Sequence, residues 1–285
     1  MRKFLGIMAI GLCSGFLILY VCINSLGDGL LHVYYLDVAQ GDAILVRTPL
    51  GQYVLIDGGP DDKVLQELAA VMPFYERTID LVVLSHPHAD HTDGLIPVLE
   101  RYNVRSVMLT GISYGYAGYE RFLDLIRERG VSTVFVNGRV DFRLGDIVFD
   151  VLFPFESLQG AHFENVNNSS ISFRLMFGRK KFYFSGDLEL EGEAKIVAFG
   201  LDLRADVFKA GHHGSRTSSS ENLLDLINPQ YAVISCGVDN QFKHPHPETI
   251  VHFLERGIEV FRTDLDGRIE FKTNGVDLAE VMHSS

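Results

Sequence analysis

A short apolar run at residues 79–84 leads directly into the segment SHPHADH at residues 85–91. The run is typical of a buried β-strand, and the segment, which we predict to be the loop after that strand, places three histidines and an aspartate within six residues. The spacing H-x-H-x-D-H lets one turn reach two neighbouring metal ions. A polar surface loop is the alternative, but similar clusters recur later in the chain. We therefore predict a metal site containing His86, His88, Asp90 and His91.

The rest of the chain alternates between strand and helix patterns, in two strand-rich halves that each carry helices. This alternation predicts an α/β fold with two sheets packed face to face and helices outside. The predicted strands are His32–Val38, Ala43–Thr48, Tyr53–Asp57, Ile79–Ser85, Ser106–Thr110, Ser132–Val136, Asp146–Phe153, Ile171–Phe177, Lys181–Ser185, Asp206–Ala210 and Tyr231–Ser235. The predicted helices are Asp61–Met72, Asp93–Arg101, Gly118–Arg129, Glu189–Phe199, Ser219–Ile227 and Pro247–Arg256.

The motif at residues 86–91 resembles the signature of the metallo-β-lactamase fold superfamily. From about His32 to Lys272 the chain resembles the hydrolase domain of the ComEC/Rec2-type competence proteins. Residues 37–42, DVAQGD, are similar to the D-V-G-Q-G-D signature of that branch, except that Ala39 replaces a glycine. The resemblance implies a four-layer αββα sandwich of two mixed sheets, with the metals at one edge between them.

Two further motifs follow predicted strands. Asp187 occupies the position of the aspartate that bridges two metals in the resembled family; a helix N-cap is the alternative reading. Residues 209–215, KAGHHGS, match the K-x-x-H-H-G-S segment of the ComEC-like branch. Adjacent side chains on an extended backbone point in opposite directions, so one histidine should bind metal and the other should face substrate. We assign His213 to the metal and His212 to acid or base catalysis, although the reverse order also fits the sequence.

Four other residues are candidates for the site. Asp57 precedes two glycines, and its equivalent in the family supports a ligand histidine; a plain turn is the alternative. Asn168 stands where other superfamily members have a histidine, so it is either a weak metal ligand that would favour manganese or an ordinary turn residue. His244 lies in an H-P-x-P element and either contacts a substrate phosphate or marks a helix entry. Lys209 is a candidate to contact the leaving group or a phosphate oxygen.

Residues 1–28 form a separate unit. Arg2 and Lys3 precede the run Phe4–Ile23, which has no charged side chain and is long enough to span a bilayer as a helix. The positive-inside rule keeps the N-terminus in the cytoplasm and exports the domain at residues 29–285. We favour a membrane anchor, and a cleaved signal peptide, which would release a secreted domain, is the alternative.

These observations predict an exported, membrane-tethered hydrolase with two divalent metal ions, zinc or manganese. A metal-bridged hydroxide, oriented by Asp90, would attack a phosphodiester, possibly in DNA. The formal net charge of −12 argues against a protein-wide basic surface for nucleic acid but not against a phosphodiester at a metal centre. The alternatives are an envelope phosphoester hydrolase of the choline-phosphate esterase type and a non-catalytic, metal-containing surface module that binds DNA.

Overall fold

The computed structural model describes residues 27–282, which contain seventeen strands. In chain order they are β1 (Leu31–Tyr35), β2 (Ile44–Arg47), β3 (Tyr53–Ile56), β4 (Thr78–Ile79), β5 (Leu81–Val83), β6 (Asn103–Val104), β7 (Ser106–Leu109), β8 (Ser132–Phe135), β9 (Phe142–Leu144), β10 (Ile147–Phe153), β11 (Ser172–Phe177), β12 (Lys180–Phe184), β13 (Val207–Lys209), β14 (Tyr231–Ile234), β15 (Glu259–Arg262), β16 (Ile269–Thr273) and β17 (Leu278–Met282).

These strands form two large mixed sheets and one small pair. The first sheet has the order β17-β16-β1-β2-β3-β5-β7-β8, the second has the order β15-β14-β13-β12-β11-β10-β9, and β4 pairs with β6. Strands β3, β5, β7 and β8 are mutually parallel, as are β12 to β15, while the remaining neighbours in both sheets are antiparallel. The residues of the predicted site lie in the segments that follow β5, β12 and β13. These three strands belong to the parallel parts of the two sheets.

Helices cover the outer face of each sheet. They are Lys63–Val71, Ala89–Thr92, Leu95–Arg101, Ala117–Arg129, Leu190–Phe199, Glu221–Ile227, Pro247–Glu255 and Thr263–Asp266. One apolar core lies between the sheets, where Val33 and Phe271 from the first sheet meet Phe182 and Val207 from the second. A second core joins the first sheet to its helices, and a third does the same for the second sheet. The predicted arrangement of two mixed sheets with outer helices is therefore confirmed.

Two local predictions were wrong. The strand predicted at 79–85 is divided at Asp80, whose backbone N–H donates to Tyr53 O at 2.9 Å. Residues 89–92, predicted as a loop, form a short helix with His88 at its N-cap position.

The sequence prediction also missed the last three strands. Strand β16 pairs antiparallel with β1, with Tyr34 opposite Glu270, and β17 extends the same sheet. His32 Nδ1 lies 2.6 Å from Glu270 Oε1 across this pair. The first and last parts of the described chain are thus neighbours in one sheet.

The predicted N-terminal segment lies outside the described residues, except for Gly27 and Asp28. Within residues 27–282, the helices all fall short of the length and apolar character that crossing a bilayer requires.

Candidate metal centre

The predicted metal-binding residues come from three strand ends. Residues 86–91 follow β5 in the first sheet, whereas Asp187 follows β12 and the histidine pair at 212–213 follows β13 in the second. The carboxyl ends of parallel strands meet at the edge of a sheet, where loops carry side chains held by a rigid scaffold. Side chains from both sheets consequently converge at one edge of the sandwich.

Asp187 lies at the centre of this group. Its Oδ2 is 3.3 Å from Nε2 of His91 and 3.3 Å from Nε2 of His213, and Asp90 Oδ2 is 3.2 Å from the same His213 nitrogen. One donor atom from each of these four residues lies within 4.8 Å of the other three. Asp187, His91 and His213 are buried, whereas the Asp90 side chain is 29% exposed. The cluster therefore opens to solvent beside Asp90.

His86 lies next to the same carboxylate, and His88 contacts His86. His86 Nε2 is 3.9 Å from Asp187 Oδ2 and 3.0 Å from Nδ1 of His88. Burial lowers the pKa of both histidines, so each is a neutral imidazole at neutral pH, which is the form that binds a metal. All six residues that the sequence predicts as metal ligands thus occupy one cluster.

Asp57 supports this cluster from the first sheet. Its Oδ2 lies 2.9 Å from Nδ1 of His91 and accepts a hydrogen bond from the Ser85 hydroxyl at 2.7 Å. Its Oδ1 accepts the Ser85 backbone N–H at 2.7 Å. A carboxylate on one ring nitrogen directs the other nitrogen of His91 toward Asp187, which is the usual support for a ligand histidine.

Asp42 lies beside His213, and it was given no role from the sequence. Its Oδ1 is 3.2 Å from His213 Nδ1, which makes its hydrogen bond to Ser235 O at 3.0 Å, and its Oδ2 is 2.8 Å from the Lys209 ammonium. The motif at residues 37–42 was the available signal, because it places this carboxylate directly before the buried β2 region.

Lys209 occupies a different position from the one expected. It was predicted to contact a leaving group or a phosphate, but its side chain is 1% exposed and its ammonium also donates to Ala210 O at 2.9 Å. The Lys209 ammonium forms a buried ion pair with Asp42, which lies beside His213, so a contact with substrate stays a prediction.

The charge balance of the cluster suits a cation. Burial by itself lowers the pKa of His91 and His213, but the Asp187 carboxylate and those of Asp57 and Asp42 raise it well above the usual value. Burial raises the pKa of Asp187, yet the two histidines hold it well below its usual range. The carboxylates therefore stabilise positive charge within the cluster. In the metal-free protein, protons on the two imidazoles supply that charge.

The donor set also passes a test of fit for metal ions. Three buried donor atoms, Asp187 Oδ1, His91 Nε2 and His213 Nε2, lack a hydrogen-bond partner. Buried polar atoms without partners are rare in native proteins, because they lose their hydration and gain nothing in return. Coordination to a divalent cation satisfies all three, and imidazole with carboxylate is a donor set that zinc and manganese accept.

The two adjacent histidines separate because of a tight turn and not because of the predicted extended backbone. Residues 211–214 form a 3₁₀ turn in which His212 and His213 have φ values of 48° and 54°. His213 points into the cluster, whereas His212 is 24% exposed, with Nδ1 3.2 Å from Glu189 Oε1 and Nε2 4.0 Å from Asp187 Oδ2. This arrangement suits the proposed division of roles, with His213 inside the cluster and His212 at its border.

Asn168 makes a structural contact. Its Oδ1 accepts the backbone N–H of Glu189 at 3.2 Å, next to the helix that begins at Leu190. Glu189 is also bound by Asn165 Nδ2 at 2.7 Å and by Asn167 Nδ2 at 3.0 Å. The asparagine segment therefore holds Glu189 beside His212, a role that the sequence analysis missed.

His244 lies at the rim of the cluster. Its ring centroid is 5.3 Å from that of His212 and 6.2 Å from that of His213, and Phe242 stacks on it at 5.7 Å. Burial, together with the neighbouring histidines, lowers the pKa of His244 to about 4, and its buried Nδ1 has no hydrogen-bond partner. At neutral pH it is a neutral hydrogen-bonding group and not a cation.

Comparisons with known proteins agree with this geometry. The sequence-family model of the metallo-beta-lactamase superfamily matches residues 36–238 of this chain. The chain is 29% identical over 273 residues to ComE operon protein 3 of Bacillus subtilis, covering 90% of this chain and 34% of that protein. It is 32% identical over 242 residues to competence protein ComA of Neisseria gonorrhoeae, covering 82% of this chain and 31% of that protein. The chain thus spans about a third of the length of these curated relatives.

A solved structure supports the fold alone. CmlA, a diiron β-hydroxylase from Streptomyces venezuelae, aligns with a TM-score of 0.54 at 17% identity, covering 89% of this chain and 54% of that one. A four-layer fold with a cluster of histidines and aspartates at one edge is the arrangement found in metal-dependent hydrolases. This chain belongs to the metallo-beta-lactamase superfamily, and the predicted resemblance to the ComEC/Rec2-type competence proteins is confirmed.

Proposed function

We propose that this chain is a binuclear metal-dependent phosphodiesterase that cleaves nucleic acid outside the cytoplasmic membrane. The observation that carries the proposal is the convergence of donors from both sheets on the central carboxylate of Asp187. The similarity to the competence proteins, which covers most of this chain, supports nucleic acid as the substrate class.

The proposal assigns the donors to two ions, zinc or manganese. His86, His88 and Asp187 would hold one ion, and Asp90, His91, His213 and Asp187 would hold the other. When bound, the ions supply positive charge for a phosphoryl oxygen and lower the pKa of a coordinated water.

Protein side chains complete the chemistry. Asp90 is the exposed carboxylate of the cluster and can orient a water molecule or accept its proton. The Glu189 carboxylate lies 3.2 Å from His212 Nδ1, so it fixes the orientation of this ring. His212 Nε2 is then available to donate a proton to a leaving oxygen at the border of the cluster.

A row of rings supports a nucleic-acid substrate. It runs through Tyr114, His88, His86, His91, His213, His244 and Phe242, and each centroid lies within 6.2 Å of the next. Phe242 is 51% exposed. Tyr114 and Phe242 therefore end the row on either side of the metal residues. This arrangement suits a nucleic-acid strand whose bases stack on these two side chains while a phosphate lies between them.

Two cations near the rim suit the same substrate. Arg216 follows the histidine pair, Lys243 lies between Phe242 and His244, and both side chains are exposed and make no ion pair within residues 27–282. They can neutralise backbone phosphates beside the cluster, which a net charge of −12 otherwise disfavours.

Membrane attachment through Phe4–Ile23 belongs to the same proposal. The uncharged run with Arg2 and Lys3 before it favours an anchor that leaves the catalytic domain outside the cytoplasm. Cleavage of the segment would give a secreted enzyme with the same site.

The test uses the full chain purified in detergent, stripped of metal by a chelator, and reloaded with zinc or manganese. Single-stranded DNA, double-stranded DNA, bis(p-nitrophenyl) phosphate and p-nitrophenyl phosphorylcholine are the substrates. Asp90→Ala is compared with Asp146→Ala, which removes an exposed carboxylate at a distant turn. Metal-dependent DNA cleavage that Asp90→Ala abolishes and Asp146→Ala retains is the expected result.

Other outcomes point to the alternatives. Turnover of the phosphorylcholine ester without DNA cleavage identifies an envelope phosphoester hydrolase. Tight binding of metal and DNA with no turnover of any substrate identifies a binding module and contradicts the enzymatic proposal.

A further inference from the structure

The chain enters the domain at the end opposite the metal cluster. Strands β1, β3, β5 and β7 run in one direction, because β1 and β3 are both antiparallel to β2 and the others follow in parallel. The metal residues follow the carboxyl end of β5, whereas residues 27–30 precede the amino end of β1. The apolar run Phe4–Ile23 therefore joins the domain at the far end of the sandwich.

An arginine-lined cavity of about 460 Å³ lies at this far end, where β5, β7 and β8 begin. Arg77, Arg101 and Arg129 line it, and none of them pairs with a carboxylate among residues 27–282. The Arg77 guanidinium lies 5.6 Å from the ring centroid of Tyr102, and Arg129 Nη2 donates to Glu100 O at 3.0 Å. Glu100 also lines the cavity, and its carboxylate lies 3.8 Å from Arg121, so the lining carries three guanidinium groups against one carboxylate.

A second basic cavity of about 310 Å³ lies at the same end of the other sheet. Arg179, Lys181 and Arg204 line it. Lys181 is 3.3 Å from Asp202, but the two arginines have no carboxylate partner in the described part of the chain. The Arg179 backbone N–H donates to Gly275 O at 2.7 Å, which joins the two sheets at this end of the sandwich.

Two large apolar side chains project from turns at this end. Leu50, between β2 and β3, is 62% exposed, and Phe74, between the helix Lys63–Val71 and β4, is 74% exposed. The turn that carries Leu50 contacts the start of the domain, since the Gly29 backbone N–H lies 3.3 Å from Pro49 O. Exposed aromatic and aliphatic groups beside unpaired arginines are typical of surfaces that bind lipid headgroups.

We infer that this far end, defined by Leu50, Phe74 and the two arginine-lined cavities, binds anionic phospholipid headgroups. The inference rests on the proposed membrane attachment, because the apolar run brings this end to the bilayer. Docking there orients the domain with its metal cluster directed away from the membrane, toward substrate that arrives from outside.

The absence of tryptophan from the sequence allows a direct test. Phe74→Trp and Phe242→Trp place single fluorescent reporters at the far end and at the metal end. Each full-length variant is reconstituted into vesicles of phosphatidylcholine, alone or mixed with phosphatidylglycerol, that carry brominated lipids as quenchers. We expect several-fold stronger quenching for Phe74→Trp than for Phe242→Trp, an increase with phosphatidylglycerol, and loss of that increase at high salt.

Charge reversal tests the arginines. Arg77→Glu with Arg101→Glu and Arg129→Glu, in the Phe74→Trp background, should remove the phosphatidylglycerol-dependent quenching. Arg216→Glu with Lys243→Glu, the matched reversal at the metal end, should leave that quenching unchanged. The salt dependence of the unreversed protein tests the same point without any risk of misfolding.

The outcomes separate this inference from the proposed function. Equal quenching at both reporters, stronger quenching at Phe242→Trp, or insensitivity to phosphatidylglycerol in a chain that floats with vesicles contradicts lipid docking alone. A chain that does not float with vesicles contradicts membrane attachment and this inference together. Normal quenching without DNA hydrolysis in the same vesicles contradicts the nuclease proposal and supports docking.

Discussion

The two ends of the sandwich use charge in opposite ways. At the metal end, Asp187, His91 and His213 are buried within 3.3 Å contacts, and Lys209 is buried in an ion pair with Asp42. At the far end, five exposed arginines make no ion pair within the described residues, namely Arg77, Arg101, Arg129, Arg179 and Arg204, whereas Arg105 pairs with Asp80 at 2.9 Å. At the metal end, the position of each charged side chain matters, because each one depends on its neighbours. At the far end, the total positive charge matters more than the position of any one arginine.

The backbone shows the same contrast. Among the described residues, every non-glycine residue with a positive φ except Asn228 lies at the metal end. These residues are Ala39, Asp57, His212, His213, Ser219, Asp239 and Lys243. Left-handed conformations are unfavourable for residues with a Cβ and persist at functional sites where surrounding contacts impose them. At the far end, Asn228 is the one described non-glycine residue in this conformation, and asparagine adopts it more readily than most residues.

The largest effect is expected from Asp187→Ala. The central carboxylate contacts both His91 and His213, so its removal should lower metal affinity by more than the roughly 10–100-fold that loss of a supporting residue costs. Metal content after dialysis and turnover of bis(p-nitrophenyl) phosphate measure the loss. Unchanged metal content would contradict the central position of Asp187, and Asp146→Ala serves as the control.

The next effect is on stability. Lys209→Met leaves the Asp42 carboxylate buried without its cation, which should reduce the free energy of unfolding by about 3–5 kcal/mol. Urea denaturation of the metal-free protein measures the change. Adding Asp42→Asn to Lys209→Met should restore most of it, because no uncompensated charge then remains. Equal instability of the single and double variants would show that the ion pair is not the cause.

Phe242→Ala tests the aromatic side of the metal end. Loss of one stacked base should weaken binding of single-stranded DNA by about 1–3 kcal/mol. Titration of a labelled oligonucleotide measures the affinity, and Val238→Ala, at a 71% exposed position of the same loop, is the matched control. Similar losses in both variants would indicate a general effect of the loop.

Ala39→Gly should stabilise the protein. Ala39 has φ 62°, a conformation that costs a residue with a Cβ roughly 1–2 kcal/mol, so glycine should gain about 1 kcal/mol after its own entropy cost. The urea midpoint measures this gain. Ala194→Gly, at an exposed position in the helix Leu190–Phe199, should shift the midpoint the other way. A loss of stability in Ala39→Gly would show that the left-handed turn is not strained.

The smallest effect is expected at the far end. Arg101→Ala removes an exposed side chain that makes no ion pair within residues 27–282, so the free energy of unfolding should change by less than about 0.5 kcal/mol. The same urea titration applies. A loss of unfolding free energy as large as that of Lys209→Met would contradict the difference between the two ends.

Much of the fold could be predicted from local patterns. Apolar runs predicted β5, β12 and β13. The histidine and aspartate motifs that follow these runs predicted the metal residues, because in such sheets polar groups follow buried strands. The prediction failed where distant parts of the chain decide the structure. Strand β16 forms against β1, and Lys209 turns toward Asp42; neither partner is near in sequence.

The histidine pair shows a different limit. Its separation into an inward His213 and a bordering His212 could be proposed from the sequence, but the assumed extended backbone was wrong. Both residues adopt left-handed conformations inside a tight turn, which only the contacts around 211–214 impose. Spacing indicated which residues belong to the site, whereas the conformation that separates them depends on tertiary packing.

The pairing of β1 with β16 also has a consequence for the order of assembly during synthesis. One edge of β1 has no partner until the ribosome has made residue 273, since its hydrogen bonds go to Ile269–Thr273. Contacts across more than two hundred residues, such as His32 with Glu270, close late and slow folding. The domain therefore keeps an open strand edge until nearly all of the described chain is available to fold.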